Sequence, residues 1–234
     1  MKAWTLVLLC LPLLSAQSWQ VKRTPWGEPD FSGVWQQRFV DKNGRPVVGL
    51  DLADFTEIPY QPWSKMQYEF NKTGVGQASD PEAHCLPAGV PRSTGLPYPL
   101  RLMQSPGLIV MLLEGNVHTY RLILMDKEHP KDPNPTWMGH STGKWDDDTL
   151  VVDSVGFKES EINGYRTTES LHVVERFKRP NLGTLEYEAV IEDPNVFTGP
   201  WLITRSFPLL PEHNRVDEFF CENNRDYKPL FGAK

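Results

Sequence analysis

Five prolines at positions 81, 87, 91, 97 and 99 stand too close together for a helix interior or a central strand to run through them. Proline fixes its own φ and has no backbone N–H to give to a hydrogen-bond ladder. With 21 prolines and 17 glycines among 234 residues, the chain has no room for long helices. Residues 17–105 therefore predict an irregular wrap that holds one short helix over 62–71. Pro62 suits the first helical position, Trp63, Met66 and Phe70 share a face, and Gly74 follows.

The texture changes at about residue 106. Runs rich in β-branched and aromatic residues, each closed by a turn cluster, predict strands over 108–114, 117–125, 149–154, 171–178, 185–192, 201–207 and 216–221, with another over 31–39. Gly115-Asn116 and Asp146-Asp147-Asp148 read as tight turns. With no helices between the runs, an antiparallel meander of about eight strands is expected. That number suits a barrel or a strongly curved sheet in one domain spanning 17–234.

Period two then assigns faces. Over 185–192, Leu185, Tyr187, Ala189 and Ile191 alternate with Glu186, Glu188 and Glu192, the pattern of a half-buried strand with an acidic outside. The same alternation places Glu175 among Leu171, Val173 and Phe177, Arg205 among Trp201, Ile203 and Phe207, and Glu218 with Val216 and Phe220. Arg121 joins them beside Val117 and Ile123. A lone charge in an apolar interior costs several kcal/mol, so these groups must pair or face a hydrated cavity. Three roles stay open: a structural ion-pair cluster, the polar floor of a ligand cavity, or an acid–base site in which Arg205 tunes Glu175.

Other motifs are weaker. Gly139-His140-Ser141-Thr142-Gly143 matches G-x-S-x-G, but a Pro-rich loop precedes it and no helix follows, so the nucleophile elbow has the wrong context. His140, a loop histidine between Trp137 and Trp145, is a candidate ligand contact or general base; a packing role is the alternative. His172 and Glu175 are an odd number apart on a strand and cannot share an ion. The six histidines show no metal-binding spacing, and phosphate-binding glycine loops are missing. No metal and no cofactor is expected. His118, Tyr120, Trp137 and Trp201 are candidate pocket aromatics, with core packing as the alternative.

The formal charge of -6 disfavours nucleic acid and anionic lipid as partners. Residues 1–16 read as a secretory signal, with Lys2 before an apolar run too short to span a bilayer, which takes about 20 residues. A secreted or periplasmic protein without stable membrane insertion is expected. Cys85 and Cys221 then remain in an oxidising compartment, where they form one bridge or stay as two buried thiols.

Two resemblances accompany this reading. Phe31-Ser32-Gly33-Val34-Trp35 resembles the G-x-W opening strand of lipocalin-type barrels. The stretch from Trp137-Met138-Gly139-His140-Ser141 through Lys144-Trp145 and Asp148-Thr149-Leu150-Val151-Val152-Asp153 to Gly156-Phe157 resembles a family of uncharacterised secreted proteins of soil bacteria. Asp80-Pro81, Cys85-Leu86-Pro87, Glu175-Arg176 and Asp193-Pro194 fit it too, although Asp147 stands where that family commonly has glycine. The likeness implies export and one β-rich domain, and no reaction. The leading expectation is an exported protein that holds a small, partly apolar molecule inside a barrel. Glu175, Arg205 and Arg121 would fix its polar end and Tyr120, Trp137 and Trp201 pack its body, with Glu218 and His118 as further ligand-binding residues. The alternatives are a cofactor-free isomerase, lyase or hydrolase using Glu175 or His140 as general acid or base, and an envelope interaction protein without a pocket.

Overall fold

The structure, a computed structural model, describes residues 19–37, 58–77, 80–115, 117, 119–162, 164–212, 215–219 and 221. The signal-like segment, His118 and His213 lie outside them. The strands are β1 (Gly33–Gln36), β2 (Pro99–Ser105), β3 (Leu108–Leu113), β4 (Thr119–Met125), β5 (His140–Asp146), β6 (Thr149–Val155), β7 (Ser160–Ile162), β8 (Tyr165–Thr167), β9 (His172–Asn181), β10 (Thr184–Glu192) and β11 (Trp201–Pro208). Nine of them make one sheet in the order β1-β2-β3-β4-β5-β6-β9-β10-β11, and β7 pairs with β8 apart. The sheet curls until its edges meet: Trp35 bridges Leu209, and the Leu210 N–H donates to Val34 O at 2.9 Å. The molecule is mainly β, with a nearly closed, barrel-like sheet.

The helix α1 (Pro62–Asn71) forms at the expected residues, with Pro62 at its start. Its Tyr68 stacks on Tyr165 at 4.3 Å between ring centroids, so helix and β8 share one aromatic cluster. The interior is lined as period two requires: Trp35, Met111, Ile123, Val152, Val173, Leu185, Ala189 and Ile191 are fully buried.

Four expectations fail. Residues 99–105 form a strand, because Pro99 occupies its first position, where the missing N–H costs little. Residues 140–146 also form a strand, so His140 is not a loop residue. This strand pairs in parallel with β4 through Ile123–Ser141, Leu124–Thr142 and Met125–Gly143, which breaks the antiparallel meander. The connection over 126–139 needs no helix: it returns along the outside of the sheet, carrying His129. Finally, residues 215–219 and 221 form no strand, so Cys221 lies beyond the last strand and Glu218 is exposed.

Cys85 and Cys221 are joined by a disulfide, with 5.7 Å between their Cα atoms. Cys85 ends a short 3-10 helix, Pro81–His84, which Asp80 caps by accepting from the Glu82 N–H at 2.9 Å. Arg92 grips Asp80 with both guanidinium arms, at 2.8 and 2.7 Å, and also pairs with Glu82. A second 3-10 turn, Arg92–Gly95, pushes Thr94 into the barrel interior. Among the described residues no helix is long and apolar enough to cross a membrane. A disulfide fits a non-reducing compartment.

Candidate functional site

The barrel interior holds the charges that alternation places inside. Arg121 is 2 % exposed and Glu175 is fully buried. Arg121 Nη1 donates to Glu175 Oε1 at 3.0 Å, and Nη2 pairs with Oε2. Its Nε–H reaches Ser141 Oγ at 3.0 Å and the other Nη2–H reaches Ser154 Oγ at 2.8 Å, and the two hydroxyls share a bond of 2.9 Å. Tyr187 donates its hydroxyl to Glu175 Oε1 at 3.0 Å and accepts from Thr94 at 3.3 Å. Burial, with Glu175 beside it, pushes the Tyr187 phenol well above its ordinary range. Each charge in this pair has its opposite and its hydrogen bonds, the condition under which a buried ion pair is tolerated. Ser141 is thus a bonded strand residue and no nucleophile on an elbow.

Arg205 is different. Its Nη1 donates to Thr94 Oγ1 at 3.2 Å and to Pro91 O at 3.4 Å, but Nε and Nη2 have no partner among the described residues. Burial holds its pKa below the ordinary arginine value, with Tyr187 and Glu175 opposing. Gly95 lies flat on the guanidinium, where an added Cβ would come within 2.5 Å of Nη1 and Nη2. Trp201 is core, and Trp137 is half-buried under the ammonium of Lys158. Tyr120 points outward at 61 % exposure, and Glu218 is also on the surface, so neither joins Arg121 and Arg205. At the barrel mouth Ala88, Ser93, Leu96, Tyr98, Leu113 and Met138 line a cleft whose enclosed space is that of about one water.

On the outer face the structure assembles a group that sequence spacing does not show. His129 Nδ1 lies 2.8 Å from His140 Nδ1, and His129 Nε2 lies 3.0 Å from Asp153 Oδ1. His172 Nε2 reaches the same Asp153 oxygen at 3.2 Å, while His172 Nδ1 is 3.4 Å from Glu192 Oε2. Thr142 Oγ1 stands 3.3 Å from His129 Nε2. The chain of contacts therefore runs Glu192, His172, Asp153, His129, His140, drawn from β10, β9, β6, the 126–139 connection and β5. Two pairings bring it together: parallel β4 and β5 force the connection across this face, and β6 pairs with β9 by skipping the β7–β8 hairpin.

Tautomers follow from these bonds. With its Nε2–H given to Asp153, neutral His129 accepts at Nδ1, so His140 donates from Nδ1 and keeps a lone pair on Nε2. That Nε2 takes no partner among the described residues. Burial lowers the His140 pKa, and a proton on neighbouring His129 would lower it further. The neutral form of His140 is thus held in one tautomer with a carboxylate two steps behind it. Among the described residues no group of three or more His, Cys, Asp or Glu side chains is arranged to hold a metal ion.

Of the sequence candidates, Glu175, Arg121 and Arg205 meet inside and His140 stands outside; His129, Asp153, His172 and Glu192 were missed. The parity that sends Ser154 and Glu175 inward sends Asp153 and His172 outward, and that was the usable signal. Comparison with protein-family models, curated proteins and solved structures gives no match.

Proposed function

We propose that this is an exported enzyme that transfers protons at the outer histidine–carboxylate centre, with His140 as general base. The observation that carries this reading is the contact of His140 Nδ1 with His129, whose other nitrogen is anchored on Asp153. When His140 accepts a proton at Nε2, its Nδ1–H still donates to His129, and Asp153 stabilises the charge through that ring. A base oriented by a second group, itself oriented by a carboxylate, is the arrangement that makes general-base catalysis efficient, worth about 10²- to 10⁴-fold. The disulfide supports export.

Hydrolysis of p-nitrophenyl acetate tests it. The protein should exceed free imidazole at equal concentration, and His140→Ala and Asp153→Asn should each cost at least about tenfold. Neutral His140 is the active form, so activity should rise with pH through a midpoint below the ordinary histidine value of about 6.5 and persist above it. A rate unchanged in His140→Ala overturns the assignment.

A second reading, a small molecule held inside the barrel, is favoured by one observation: two nitrogens of buried Arg205, Nε and Nη2, have no partner among the described residues. They suit a carboxylate or another acceptor-rich head group. Native mass spectrometry of protein from its own host should then show a retained ligand that Arg205→Met loses. Identical masses for the two proteins, apart from the substitution, sink this reading.

A further inference from the structure

The histidine centre is the polar end of a single row that crosses the outer face of the sheet. Met103 pairs with Val110 and Val110 with Leu122. Leu122 and His140 stand one step before the Ile123–Ser141 pair, and His140 is opposite Val155. One step beyond the Ser154–Val173 pair, Val155 meets His172, which is opposite Glu192. All seven side chains point away from the barrel. The row is apolar at one end and carries the imidazoles and Glu192 at the other, with Met103 43 % and Leu122 44 % exposed.

We infer that the substrate of the His140 centre is an elongated apolar molecule with an uncharged carbonyl at one end. This inference rests on the proposed acid–base role of His140. An apolar strip left open on a β-sheet is a liability unless it serves a contact. Here it runs without a break into the catalytic base, so its occupant is the body of the molecule on which that base acts. Strands stand about 4.8 Å apart, which puts Met103 about 14 Å from His140, the reach of a medium-length acyl chain. The head group is uncharged, because Asp153 and Glu192 repel a carboxylate there. In the hydrolytic step His140 Nε2 takes a proton from water. The water oxygen bonds to the carbonyl carbon, and the ester C–O bond breaks to release the alcohol, which recovers the proton from His140.

The p-nitrophenyl esters of acetate, butyrate and octanoate test the inference. Each methylene that leaves water on one side should raise kcat/KM by about twofold, giving an increase well above tenfold from acetate to octanoate. Leu122→Asn combined with Met103→Asn should flatten the gradient. Leu202→Asn, an equally exposed leucine on β11, should leave it intact. Thermal melts that match wild type verify that the variants fold. Turnover of all three esters at one rate overturns the apolar substrate and leaves the acid–base centre standing. Turnover of none overturns the centre and the inference with it. A gradient that survives the double substitution overturns the placement on this row.

Discussion

Glu175→Ala lowers the stability of the fold by about 3 to 5 kcal/mol, because it strands Arg121 in the barrel with no opposite charge. Arg121 also holds Ser141 and Ser154, and Tyr187 loses the acceptor for its hydroxyl, so the damage reaches five strands. For a domain of this size that loss corresponds to a fall in Tm of about 10 °C or more. Glu175→Gln keeps acceptor and shape but removes the charge, and falls between. The decisive comparison is the double variant Arg121→Met, Glu175→Leu, which removes both charges and leaves similar volume. Replacing a whole buried ion pair by apolar groups is often neutral, so this variant should regain most of the stability that Glu175→Ala loses. Urea unfolding measures all three. A midpoint for Glu175→Ala within experimental error of wild type would contradict the energetic account of the interior.

Loss of the disulfide has an effect of similar size. The bond closes a loop with a sequence separation of 136 residues, for which the chain-entropy model gives about 4 to 5 kcal/mol. Cys85→Ser, Cys221→Ser and reduction of the wild-type protein should lower the unfolding midpoint by the same amount, and reductant should do nothing further to the variants. The bond ties Cys85, beside the 3-10 turns that carry Thr94 inward, to a residue beyond β11. Release should therefore loosen the 80–98 segment before the sheet, which hydrogen exchange resolves residue by residue. Equal midpoints with and without reductant would show that the bond contributes nothing to stability.

Much of this fold is legible in the sequence where a strand is half-buried. Leu185, Tyr187, Ala189 and Ile191 alternate with glutamates so regularly that the inner face of β10 can be read directly, and the same parity places Glu175, Arg205 and Arg121 inside. The reading fails where parity has no strand to act on. Residues 216–221 alternate in the same way, yet those described form no strand, and Glu218 ends in solvent. Proline misleads at β2 because its cost depends on position: Pro99 starts a strand without harm, while the same residue inside would break it. Parity turns Asp153 and His172 outward, but the contacts of the outer centre were illegible for another reason. His129, His140, Asp153, His172 and Glu192 are spread over more than sixty positions, and only the parallel β4–β5 pairing and the β6–β9 pairing bring them into contact.

The inner and outer surfaces of this sheet belong to one mechanical object. Arg121 braces Ser141 and Ser154 from within, and the next residues along those strands, His140 and Asp153, face the other way. Glu175, on the same strand as His172, anchors the far end of that brace, and Tyr187 extends it to the strand that ends in Glu192. The ion pair thus acts as a tie rod behind a wall, fixing how far apart the outward imidazoles and carboxylates stand. A substitution that slackens the rod would move them without touching any of them, so the spacing of the outer centre is set from the inner side of the sheet.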